Sequence, residues 1–327
     1  MEDHAVFNKR QPAKPSRTRN GFASVARELC RNKVLYLMAA PALILFFLFN
    51  YLPLSGIVLA FKYYSISEGI WGSPWVSPIF QNFEFFFKSS NFIRVTRNTL
   101  LLNFMFITFN TVLSVLFSIM LNEMVSSKLR KFAQAGMLLP YFISWIVVSV
   151  FAFALLNFDY GSVNMLLRQL GIEPVDFYNK PGLWPIIMTI VYVWKNVGYN
   201  SVLYTATLAG IAPDYYEAAR IDGASRIKQI WYISLPHLLP TITVMTLLSI
   251  GKIMNADFGM FYSIVQENSV LYPTMDVIDT YVYRTLRKLG EVGMSAAVGL
   301  YQSVVAFILV LLSNKMAKKI DPEGGLF

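Results

Sequence analysis

The chain has 327 residues, 55% of them apolar or aromatic and only 14% charged, against about 25% charged in a typical soluble domain. With a mean hydropathy of +0.49, this composition excludes an ordinary soluble globule and points to one membrane-embedded unit. The net charge of +9 would suggest a nucleic-acid partner in a soluble protein, but in a membrane protein it records loop topology, so no nucleic-acid partner is expected. The single cysteine, Cys30, excludes an intramolecular disulfide and a thiolate metal cluster. His4 and His237 lie far apart without further ligands, so no metal site and no catalytic residue is predicted.

Residues 1–33 form a basic, polar, Pro-containing tail expected to be cytoplasmic. From there six apolar stretches are long enough for a bilayer core. They run over about 34–61, 99–121, 132–158, 183–209, 236–256 and 292–314. The prediction is an all-α integral membrane protein of six transmembrane helices within 34–327. The positive-inside rule orients it, because 17 Lys and Arg fall on the side of the N-terminus and nine on the other, which makes both termini cytoplasmic. The first stretch is too long for a cleavable signal. After it, the aromatic run Trp71 to Phe87 suits interfacial packing, and Asp257 to Glu291 carries Val277, Ile278, Tyr281 and Val282 at helical spacing.

Between the fourth and fifth stretches, a cytoplasmic helix is predicted over about 213–229. Pro213 suits a first helical turn, Asp214 and Glu217 suit the positive end of the dipole, and Gly223 permits a tight turn after Asp222. The pair Ala218 and Ala219 leaves room for another surface. Glu217, Ala218, Ala219, Asp222, Gly223 and Ala224, followed by Ile233, Leu235, Pro236 and Pro240, resemble the EAA signature of permease subunits in binding-protein-dependent ABC importers of type I. The segments YLPLSGIVLAFKYY, RNTLLLN, DVIDTYVYRT and VGLYQSVVAFILVLLSNKMAKK further resemble the oligosaccharide branch of that family.

The resemblance implies a permease that works by alternating access with a second permease, an ATPase dimer docked on the coupling helix and an extracytoplasmic solute-binding protein. Its place would be the bacterial inner membrane. No phosphate-binding GxxxxGK[ST] loop occurs in the sequence, so this chain is expected to carry no cofactor and no hydrolytic chemistry, with ATP and Mg held by the ATPase.

Charged residues inside spans mark functional sites by default. Lys195 lies about 18 Å into the fourth stretch and Lys252 about 24 Å into the fifth at 1.5 Å per residue. With Trp194, Asn196, Tyr199, Ser249, Asn255 and Asp257 they form the predicted substrate path, in which aromatic faces meet sugar rings and polar groups meet hydroxyls. In permeases of the maltose type these stretches bind the sugar and are mostly neutral. The two lysines are the departure, and they suggest an acidic, uronate-containing saccharide such as alginate or a pectin fragment. A neutral oligosaccharide, or a secondary transporter, is the alternative.

Overall fold

A computed structural model describes residues 31–320. The predicted basic tail therefore lies, but for residues 31–33, outside the described residues, as does the C-terminus. The described residues form an all-helical chain without a β-strand, apart from one isolated antiparallel bridge between Lys62 and Trp75. The chain divides into two compact units, residues 1–55 and 56–327.

In the first unit, α1 (Lys33–Phe46) has no buried residue and passes into a π-helical turn, Phe47–Tyr51. A helix apolar on every side requires lipid or another chain around it. A 3-10 stretch, Leu52–Phe61, continues the helical run.

The second unit holds α2 (Gln81–Lys88), α3 (Ser90–Asn122), α4 (Ser127–Leu138), α5 (Trp145–Leu156), α6 (Ser162–Gln169), α7 (Trp184–Ala209), α8 (Pro213–Ile221), α9 (Arg226–Ile250), α10 (Phe258–Val265), α11 (Ile278–Leu289) and α12 (Val292–Ile320). Four helical runs among the described residues are long and apolar enough to cross a membrane: Lys33–Phe61, α3, α9 and Val292–Lys319. A fifth crossing results if a bent pair counts as one span.

That bent pair corrects the expected third span over 132–158. A 3-10 turn, Leu139–Phe142, follows α4, and α5 then sets off at 97° to it. Pro140 brings no N–H to the helix, and Ser144 starts a new one by accepting a hydrogen bond from Val147 N through Oγ. The fourth expected span is the 26-residue α7, but Lys195, Asn196 and Asn200 leave it too polar to count by composition. The fifth begins at Arg226 rather than 236 and ends at Ile250 rather than 256, so residues 226–229 belong to α9 and the expected helix over 213–229 is two helices.

Helices α3 and α7 pack through small and polar positions. Ser114 and Ser118 on α3 and Ser201 on α7 are buried, and Ser114 Oγ donates to Val197 O at 3.3 Å. Small residues let membrane helices approach without a hydrophobic driving force. Phe106 and Tyr192 stack across this seam at 4.6 Å and 11°. Of the aromatic run, Phe86 is the buried member, packed against Phe92, Tyr281 and Tyr301, whereas Trp71 and Trp75 stay exposed.

The Ser90 end of α3 is closed by the segment before α11. Asp276, whose side chain is fully buried, accepts from Arg94 at 3.1 Å and from Arg284 at 2.8 and 3.0 Å. Burial alone would lower the Arg284 guanidinium, but the hydrogen bond and charge of Asp276 outweigh it and hold its pKa above the usual value. Asn98 donates to Asp276 O, and Ile278 N donates to Thr99 Oγ1.

Candidate functional site

The second unit contains a cavity of about 470 Å³, within the range of sites for small ligands. Its walls come from α3, α7 and the chain that follows α9. On α7, Tyr192, Asn196, Tyr199 and Asn200 recur at three- and four-residue steps and so share one helix face. On α3, Asn103 and Asn110 stand two turns apart. Tyr141, from the turn after α4, stacks on Tyr199 at 4.3 Å and 8°.

The third wall is the irregular chain between α9 and α10. Helix α9 ends at Ile250, and no helix resumes until Phe258. Irregular backbone at membrane depth requires partners for its freed amide groups and is found where it lines a cavity. Side chains from three helices supply them. Asn103 of α3 donates to Ile253 O at 2.9 Å, Gln302 of α12 donates to Met254 O at 2.6 Å, and Ala256 N donates to Asp279 of α11 at 2.8 Å. Burial raises the Asp279 pKa above the usual carboxylate range, and the bonds from Ala256 and Gln302 offset only part of that. Asp257 caps α10 by accepting from Met260 N, and its other oxygen accepts from Trp145 Nε1 at 2.6 Å.

This break presents Lys252 and Asn255 to the cavity, both exposed. The Lys252 ammonium has no hydrogen-bond or ion-pair partner among the described residues. Ser249 contributes a hydroxyl tied back to Met245 O, and the Asn196 amide donates to Tyr192 O. Six of the expected path residues, Asn196, Tyr199, Ser249, Lys252, Asn255 and Asp257, thus meet at one cavity.

Trp194 and Lys195 do not. Trp194 sits two residues from both Tyr192 and Asn196, about 200° around the helix from each, and is half exposed away from the cavity. Lys195 is 7% exposed and points into the turn after α4, where it donates to Pro140 O at 3.2 Å, Tyr141 O at 2.8 Å and Ile143 O. An ammonium has three donors, and here all three find carbonyls. Asn103, Asn110, Asn200, Tyr141 and Tyr192 line the cavity as well, outside the predicted path. The signal for the first pair was amides seven residues apart in an otherwise apolar run.

The segment expected to couple to the ATPase is built locally. Helix α8 starts with Pro213 and Asp214 and carries Glu217 and Ala218 exposed, with Ala219 half-buried. It ends in a full Schellman motif: Ala224 N donates to Ala219 O at 2.8 Å and Gly223 N to Arg220 O at 3.1 Å. Gly223 takes φ +77°, and Asp222 beside it is exposed. Gln229 of α9 donates to Ala224 O at 2.9 Å, and the Tyr216 hydroxyl bonds Ser234 at 2.9 Å, so α8 is fastened to the start of α9. Arg226 pairs with Glu123 at 3.7 Å at the end of α3.

Residues 110–322 match the family model of the binding-protein-dependent transport system inner membrane component. The chain belongs to that family. It is a multi-pass permease component of the inner membrane. The permease is 36% identical over 90% of its length to protein LplB of Bacillus subtilis (strain 168), covering 92% of that protein. It is 34% identical over 91% of its length to the polygalacturonan/rhamnogalacturonan transport system permease protein YteP of the same organism, again covering 91% of the relative. Among solved structures, a chain of a bacterial ABC transporter involved in the import of the acidic polysaccharide alginate superposes with a TM-score of 0.83 and 33% identity, over 91% of the permease and 99% of that chain.

Proposed function

We propose that the permease translocates an acidic oligosaccharide, a uronate-containing fragment of a polysaccharide of which alginate is the model. It does so as one subunit of an ABC importer, by alternating access with a second permease, an ATPase dimer and a solute-binding protein. The observation that carries the substrate class is Lys252, a cation without a partner among the described residues, set in a wall of amides and stacked aromatic rings. Amides and tyrosines suit hydroxyls and ring faces of any sugar. The lysine adds a group that favours a carboxylate, in agreement with relatives named for alginate and polygalacturonan transport.

In this reading Glu217, Ala218, Ala219, Asp222, Gly223 and Ala224 present the docking face for the ATPase. That partner holds ATP and Mg and performs the hydrolysis, and both termini of the permease lie on its side of the membrane. The test is uptake by the reconstituted importer, with binding protein, of uronate and neutral oligosaccharides of equal length. A hydrogen bond to a charged group is worth roughly 1.5–3 kcal/mol, so Lys252→Met should raise the KM for the uronate series about tenfold or more and leave the neutral series unchanged. An equal loss in both series would sink the acidic reading in favour of a neutral oligosaccharide.

A further inference from the structure

Lys195 is a buried lysine on α7 whose three donors all meet backbone carbonyls, and its surroundings indicate a task other than binding substrate. We infer that Lys195 is a positioning residue that clamps the broken span α4–α5 onto α7 and so holds the aromatic wall of the cavity. The inference rests on the reading of that cavity as the saccharide path.

Three observations carry it. First, the carbonyls at a helix end have no partner within the helix, and a cation at that end is favoured by the dipole. The Lys195 ammonium meets three carbonyls of the turn where the chain bends by 97°: those of Tyr141 and Ile143, and that of Pro140, which also accepts from Ile143 N at 3.2 Å. Second, α7 and α4 touch backbone to backbone one turn further on. A Cβ on Gly198 would stand 1.8 Å from Met137 O, so no side chain separates the helices there. The glycine permits the approach and the lysine satisfies the carbonyls beside it.

Third, the clamped turn carries the cavity wall. Tyr141, whose carbonyl Lys195 holds, stacks on Tyr199 inside the cavity. The ammonium also lies 5.1 Å from the ring of Trp145 and 5.7 Å from that of Tyr141, within cation–π range. Trp145 in turn donates to Asp257, the last residue of the break that presents Lys252. Lys195 thereby fixes one wall directly and reaches the wall of residues 251–257 through Trp145, while none of its donors remains for a ligand.

Positioning and substrate reading separate by charge selectivity. In the complete reconstituted importer, Lys195→Met should raise the KM about tenfold for uronate and neutral oligosaccharides alike, with ATPase activity in the absence of binding protein within twofold of the parent. Lys195→Arg, which keeps a cation able to donate to several carbonyls, should restore the KM to within about threefold. Trp145→Phe, which keeps the ring and removes its N–H, should raise the KM for both series about threefold. If Lys195→Met fails to assemble, the arginine and Trp145→Phe variants decide: a normal KM in Trp145→Phe, or no transport in Lys195→Arg, refutes the clamp. A loss confined to the uronate series in Lys195→Met refutes it too, because the lysine would then read charge. Normal transport by Lys195→Met with a selective loss in Lys252→Met refutes the clamp alone and leaves the cavity reading standing. Normal transport of every saccharide by both variants removes the cavity reading as well.

Discussion

Replacing Gly198 by alanine tests the contact between α4 and α7 at its closest point. The added Cβ would lie 1.8 Å from Met137 O and 2.3 Å from its carbonyl carbon. Both are backbone atoms, so no rotamer change relieves the clash. Ordinary van der Waals contact begins near 3.4 Å, which requires α4 to retreat by about 1.6 Å. Lys195 donates to Tyr141 O at 2.8 Å and Pro140 O at 3.2 Å, and a retreat of that size takes both beyond hydrogen-bonding reach. Two bonds to a charged donor, at roughly 1.5–3 kcal/mol each, give a destabilisation of about 3–6 kcal/mol. Unfolding of a membrane protein in detergent is read as a rate, so the assay is the half-life of the purified permease at a fixed elevated temperature. We expect Gly198→Ala to lose its folded state at least tenfold faster, and the KM for saccharide to rise in membranes where it persists. A half-life within twofold of the parent, with unchanged KM, would show that the close approach is not required.

Two further outcomes follow from sites described above. Asp276→Asn leaves Arg94 and Arg284 without their shared carboxylate, and breaking a buried pair costs about 3–5 kcal/mol. Its thermal half-life should fall more than that of Arg94→Met, which leaves both Arg284 bonds in place, and the reverse order would contradict the assignment of Asp276 as the hub. Gly223→Ala meets open space but keeps a φ of +77°, a left-handed conformation costing an alanine about 1 kcal/mol. Binding-protein-stimulated ATPase activity should drop about fivefold, as that energy implies, while the half-life changes little. Full stimulation would mean that the turn after α8 is not needed in this form.

What could be read from the sequence divides by how local the signals are. Helix α8 and its closing turn were legible because Pro213, Asp214 and Gly223 each act within one helical turn. The start of α9 was misplaced because Arg226 and Lys228 resemble a separate amphipathic piece, whereas Ser225 caps a helix that continues into the membrane. The cavity was legible where polar residues interrupt apolar runs, at Asn196, Ser249, Lys252 and Asn255. Trp194 misled because proximity in sequence places it on the opposite face of α7 from Asn196. Lys195 misled for a deeper reason: its partners are backbone carbonyls, and the break that frees them is signalled only by Pro140 and Ser144. The pins of the second break, Asn103, Asp279 and Gln302, come from three distant helices, and no single stretch of sequence shows that they converge.

The closure of α3 by Asp276 has a consequence for how the permease is made. Arg94 and its carboxylate are separated by 182 residues, Asn98 and the Asp276 carbonyl by 178, and Thr99 and the Ile278 amide by 179. Synthesis proceeds from the N-terminus, so α3 enters the bilayer long before these partners exist. During that interval the Ser90 end of the helix holds a guanidinium and an amide that must stay in contact with water or a chaperone. A nascent chain stalled before Asp276 is therefore a membrane protein with one helix end left open, and translation through Asp276 and Ile278 is what seals it.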